Sequence, residues 1–149
     1  PRTRKARPGL KLVEQRAILH CGGHHHRFSL SDAILIKDNH IAAAGGIKQV
    51  LEAVQRNVGH MVVVEIAIDG LHQLDEVLQT GGADVIMFDN MSTEDMAEAV
   101  KRIDGRAKTE ASGNVTLGRL REIASANVDH ISSGALTHSA GTVDFGLDF

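Results

Sequence analysis

"MVVVEIAIDGLHQLDEVLQTGGADVIMFD", residues 61–89, decides the fold. Its first apolar run, 61–68, is rich in Val and Ile and reads as a strand. Leu71, Leu74 and Leu78 then recur at helical spacing, and Gly81 and Gly82 close the segment. A second apolar run follows over 84–89. Strand, helix and strand in so short a span make a βαβ unit, whose two strands run parallel.

The same alternation extends in both directions. Further strands are expected over 33–38, 107–112, 128–133 and 143–148. Helices are expected over 8–19, 45–59, 92–103 and 116–128. Pro8 fits the first turn of the earliest helix. Ser92, with Asp95 three positions on, is a weaker capping box ahead of the stripe Met96, Ala99, Val100 and Ile103. The last three βα units are nearly equal in length, and no glycine-rich dinucleotide fingerprint follows any strand. The near-equal lengths favour a parallel α/β barrel over a flat doubly wound sheet. Residues 1–149 are read as one such domain, an incomplete or open barrel.

Bulk properties narrow the function classes. The 149 residues carry 42% hydrophobic and 23% charged residues, ordinary values for a globular protein. Trp and Tyr are absent, so the core must be aliphatic. A net charge of -3 gives no overall drive toward nucleic acid or membrane. One cysteine, Cys21, cannot make an internal disulfide, which points to a reducing compartment and a cytoplasmic location. No apolar run reaches the roughly 18 residues of a membrane span.

In an α/β barrel the site lies where strands end and βα loops begin. The strand-end residues to inspect include Lys37, Glu65, Ala67, Asp89, Glu110, Ser112 and Ser133. Arg4 and Lys5 end a short first strand, and Arg27 and Lys37 lie at the next strand boundaries. Converging Arg and Lys side chains suit a carboxylate or phosphate ligand. Alone, each would be read as solvated surface charge. Asp89 can bind Mg²⁺ through oxygen, stabilise a developing positive charge, or merely cap the next helix. Ser112–Gly113–Asn114 and Ser133–Gly134–Ala135 are two small polar turns after adjacent strands. Their backbone N–H groups can cradle a phosphate.

The run His24, His25 and His26 poses a separate question. Neighbouring residues on an extended segment point to opposite sides, so three in a row do not converge on one ion. No zinc is expected there. A single histidine beside Arg27 in an anion pocket is the preferred reading, with a metal-dependent barrel enzyme as a distant alternative. Cys21 reads as an inert thiol.

"TRK..PGL", "GG..HR", "LIKDNHI", "DVIMFDNMS", "EASG" and "GALTHS" occur in this order from Thr3 onward. Together they make the chain resemble the C-terminal barrel of quinolinate phosphoribosyltransferase, the carboxylating nicotinate-nucleotide pyrophosphorylase. The resemblance implies a pentosyltransferase of NAD biosynthesis. Quinolinate and phosphoribosyl pyrophosphate would give nicotinate mononucleotide, pyrophosphate and CO₂, with Mg²⁺ accompanying the pyrophosphate. It implies that Arg4, His26 and Arg27 hold the quinolinate carboxylates, with Lys5 and Lys37 nearby for substrate and phosphates. Lys37 and Asp89 would act in catalysis, Asp89 facing the ribose and Mg²⁺. Ser112, Gly113, Asn114, Ser133, Gly134 and Ala135 would take the 5′-phosphate.

Several positions depart from that pattern. Ala67 stands where the family places a second glutamate after Glu65. Ala6 and Arg7 replace two hydroxyl residues, His25 replaces an asparagine, and Asn114 replaces a glycine. Glu65 cannot simply serve for Ala67, because it lies about 6.6 Å back along the strand. The family's N-terminal α/β-sandwich domain is absent from this sequence. The chain is therefore expected to associate with itself or with another subunit, or to be a fragment of a longer protein. The alternative to an active enzyme is a degenerate paralogue that binds ligand or protein without turnover.

Overall fold

The computed structural model describes residues 6–27 and 29–147. The elements run α1 (Lys11–His20), β1 (Ala33–Ile36), α2 (Asp38–Ala44), α3 (Ile47–Asn57), β2 (Val63–Ile68), α4 (Leu71–Thr80) and β3 (Val85–Asp89). They continue with α5 (Thr93–Ile103), β4 (Lys108–Ser112), a 3₁₀ turn (Leu117–Arg119), α6 (Leu120–Ser125), β5 (His130–Ile131) and α7 (Ala135–His138).

All strand pairs are parallel, and the strand order β1-β2-β3-β4-β5 follows the chain. A doubly wound sheet would reverse its order at a switch point. This sheet never reverses, so it curls in one sense as an open, incomplete barrel. The α/β barrel reading of the sequence holds.

Alternation along the strands separates two environments. Val64, Ile66 and Ile68 of β2 and Ile86 and Phe88 of β3 pack in one cluster with Leu51, Leu74, Val77, Met96 and Ile103 of the helices. Leu51 and Leu74 belong to the expected helical stripes, and both are fully buried. Glu65 and Ala67, one residue out of phase, face the other way, as do Met87, Asp89 and Glu110. Parallel strands bury both faces, which explains the near-continuous apolar runs read in the sequence. Ser92 caps α5 as expected, its hydroxyl accepting the Asp95 N–H at 3.1 Å.

Two aspartates pin the N-terminal ends of the sheet. Asp84, just before β3, accepts the Val64 N–H of β2 at 2.8 Å. Asp129, just before β5, accepts the Thr109 N–H of β4 at 2.9 Å and the Thr109 hydroxyl at 2.8 Å. The device therefore repeats at the end of the sheet away from Asp89 and Ser112.

Three expectations are corrected. The strand over 143–148 does not form within its described part, 143–147. Val143, Phe145 and Leu147 alternate as a strand would, but β5 has only two residues and offers almost no ladder to extend. The strand over 33–38 stops at Ile36, and Lys37 instead precedes the seven-residue helix α2, which the sequence reading missed. Its stretch "DNHIAAA" is too short to display a helical period. Pro8 sits in a turn ahead of α1 rather than in its first helical turn. In α1, most aliphatic side chains lie outside the buried face. Glu14 and Gln15 are buried, while Leu12, Val13 and Leu19 are exposed.

Candidate active site

The C-terminal ends of the strands open into a cavity of about 1070 Å³. Every candidate site residue among the described ones lines it: His26, Arg27, Lys37 and Asp89, with both small polar turns, 112–114 and 133–135. Arg4 and Lys5 lie outside the described residues. Sheet register alone brings part of this together, since Asp89 of β3 pairs with Ser112 of β4.

The two loops after β3 and β4 are locked by Asn90. Its backbone N–H donates to the Ser112 carbonyl at 3.0 Å. Its side-chain amide donates to Asp89 Oδ1 at 2.9 Å and accepts from Asn114 Nδ2 at 2.9 Å. Gly113 takes φ +88°, and a Cβ there would fall 2.4 Å from Asn90 Oδ1. Only glycine fits both the dihedral and the space. Asn114 follows at φ 47°, a left-handed conformation that asparagine tolerates better than most residues. Ser133 Oγ donates to the Val115 carbonyl at 3.3 Å, which ties the second turn to the first.

The cations have different surroundings. Arg27 Nη1 donates to the Ala33 carbonyl at 3.2 Å, which anchors the preceding loop to β1. Lys37 lies between β1 and α2, where its backbone N–H donates to His40 Nδ1 at 3.0 Å. Arg7 also lines the cavity, but its Nε is held by Glu14 Oε1 at 2.9 Å.

His26 lies deepest. Its Nε2 is 2.8 Å from Glu65 Oε2 and 3.4 Å from Glu110 Oε1. The hydrogen bond to Glu65 raises the imidazole's pKa above its ordinary value, against the opposing effect of burial. Burial raises the Glu110 carboxyl, partly offset by the hydrogen bond donated by the Ser132 hydroxyl. The sequence reading marked Glu110 only as a strand-end residue, gave neither it nor Asn90 a role, and passed over Ser132. Its place on the strand that leads into the Ser112 turn was the available signal for Glu110. The register and loop contacts that recruit Ser132 and Asn90 leave no mark in the sequence.

Ala67 borders a smaller cavity of about 270 Å³ beside the main one, which Lys37, Asp69 and Asp89 also line. At this point β2 presents a methyl group next to Asp89 and no oxygen ligand.

Comparison with known proteins agrees with this architecture. A probable carboxylating nicotinate-nucleotide pyrophosphorylase of Bacillus subtilis (strain 168) is 44% identical over 146 residues, covering 98% of this chain and 50% of that protein. The crystal structure of NadC from Streptococcus pyogenes superposes with a TM-score of 0.85 at 38% identity, over 99% of this chain and 52% of that one. A NadC deletion mutant superposes with a TM-score of 0.92 at 40% identity, over 97% and 51%. The chain thus spans about half the length of these relatives. The family model for the quinolinate phosphoribosyl transferase C-terminal domain matches residues 1–148, and the chain belongs to that family.

Proposed function

We propose that this chain is the substrate-binding barrel of a quinolinate phosphoribosyltransferase. The observation that carries the reading is the main cavity at the strand ends, which gathers fixed cations, the carboxylates of Asp89 and Glu110, and two phosphate-type turns. The quinolinate nitrogen attacks the anomeric carbon of phosphoribosyl pyrophosphate and pyrophosphate departs. The 2-carboxylate then leaves as CO₂, and a proton takes its place on the ring. Arg27 and His26 hold the quinolinate carboxylates, with Arg4 and Lys5 assigned to the same end from the sequence alone. Lys37 supplies positive charge for the departing pyrophosphate. Asp89 stabilises the cationic sugar of the transition state. The turns at 112–114 and 133–135 take the 5′-phosphate through backbone N–H groups.

Mg²⁺ would enter with the pyrophosphate. Asp89 fits that ion, which commonly takes one or two carboxylates together with substrate phosphates and water. Ala67 contributes no second carboxylate. A non-catalytic, ligand-binding paralogue is the second reading, favoured by that missing oxygen. Exposed Leu12 and Val13 on α1 support association with another subunit or a second copy. A cytoplasmic location completes the proposal. Among the described residues, no helix is long and apolar enough to cross a membrane.

Calorimetric titration with quinolinate, then phosphoribosyl pyrophosphate and Mg²⁺ with a pyrophosphate-release readout, tests the proposal. Binding with release supports the enzyme. Binding without release supports the paralogue, and no binding of either substrate refutes both.

A further inference from the structure

We propose that His26, Glu65 and Glu110 form a binding site for a divalent transition-metal ion on the floor of the cavity. The three residues each offer a ligand atom, and these atoms all lie within 4.8 Å of one another. Ligands about 2.1 Å from a shared ion stand roughly 3.0 to 3.4 Å apart for right-angle to tetrahedral arrangements. The separations of 2.8 and 3.4 Å from His26 Nε2 lie at or just below that range.

A second observation points the same way. Glu65 is only 5% exposed, yet its Oε1 is buried without a hydrogen-bond partner. A buried carboxylate oxygen left so is costly, and a coordinated cation would satisfy it. Ser132 donates to Glu110 Oε1 and orients that carboxylate from outside the cluster, as partners of ligating carboxylates do. His26 and Glu110 both line the cavity, so remaining coordination positions face its interior. One imidazole with two carboxylates suits Mn²⁺, Fe²⁺, Co²⁺ or Zn²⁺ better than Cu⁺ or a thiolate-seeking ion. Such an ion could take a ligand carboxylate in its open positions, so that His26 would hold the carboxylate assigned to it above through the ion and not by its own Nε2–H. This site is separate from Asp89, and the inference does not rest on the phosphoribosyl reading.

The test uses no substrate, so it can fail while the proposed function stands, and the converse. The chain is stripped with EDTA and titrated with Mn²⁺, free ion being read by electron paramagnetic resonance, with Zn²⁺ as competitor. One ion per chain is expected, together with a raised melting temperature. Glu65→Gln should abolish binding, and Ser132→Ala should weaken it about tenfold. His24→Ala, in the exposed part of the histidine run, should leave it unchanged. Circular dichroism confirms that each variant folds, and Glu110→Gln replaces Glu65→Gln if the latter does not. The inference is overturned if neither ion binds or raises the melting temperature at millimolar concentration. Binding that survives the glutamate variants, or that disappears with His24, overturns it equally.

Discussion

Gly113 and Asn90 interlock: the backbone of one occupies the only space the side chain of the other leaves. A Cβ on Gly113 would meet Asn90 Oδ1 at 2.4 Å, on a backbone already at φ +88°. Gly113→Ala should therefore distort the turn after β4. The left-handed dihedral costs about 1–2 kcal/mol for a residue with a Cβ, before any overlap. Binding of phosphoribosyl pyrophosphate should weaken by about tenfold or more, the equivalent of roughly 1.4 kcal/mol. Unchanged affinity in calorimetry would remove this turn from the phosphate site.

The same contact predicts non-additivity. Asn90→Ala removes the amide that bonds Asp89 and Asn114 and should cost about 1 kcal/mol of stability. It also removes the atoms that a Cβ at Gly113 would strike. Gly113→Ala should then be less damaging in the Asn90→Ala background than alone, by about 0.5 kcal/mol or more. Urea melts of the four proteins in this cycle check the sign. Strict additivity would mean the dihedral alone sets the cost.

Most of the fold was legible because its signals are local. The period of Leu71, Leu74 and Leu78 marks α4, and the Val- and Ile-rich run before it marks β2. The site was legible for a different reason: in a parallel barrel, strand ends are where loops meet, so Lys37, Asp89, Ser112 and Ser133 share one mouth by topology. What stayed hidden depends on contacts distant in sequence. Nothing near His26 announces Glu65 or Glu110, which lie 39 and 84 positions on. The tail alternation of Val143, Phe145 and Leu147 misled because a strand also needs a partner edge.

Asp129 carries a pH signature. Hydrogen bonds from Lys108 and the Thr109 backbone lower its carboxyl from 3.8 to about 2. The folded value is depressed, so its contribution is present above pH 3.8 and is lost as pH falls through about 2. The full shift corresponds to about 2 kcal/mol. The side chain is 33% exposed, so solvent screening brings this to about 1 kcal/mol. Asp129→Asn should lower the urea midpoint near neutral pH, and the deficit should shrink as pH is lowered toward about 3. Ligand binding should not change, because Asp129 sits at the opposite end of the strands. A deficit independent of pH would show that the hydrogen-bond geometry matters and the charge does not.

Ala67 offers the most direct test of what limits this barrel. Its Cβ borders the small cavity that Asp89 and Lys37 share, and the cavity of about 270 Å³ has room for a larger side chain. Ala67→Glu would set a second carboxylate beside Asp89, within reach of the Lys37 ammonium. Two carboxylates without a cation repel, so the substitution alone should be neutral or slightly destabilising. With Mg²⁺ and phosphoribosyl pyrophosphate present, the added oxygen ligands should strengthen binding by about tenfold, and the gain should vanish in EDTA. A Mg²⁺-dependent gain would identify the missing carboxylate as the main defect of the ribose and pyrophosphate end. Equal affinity with and without the glutamate would sink that explanation and shift attention to the half of its relatives' length that this chain does not span.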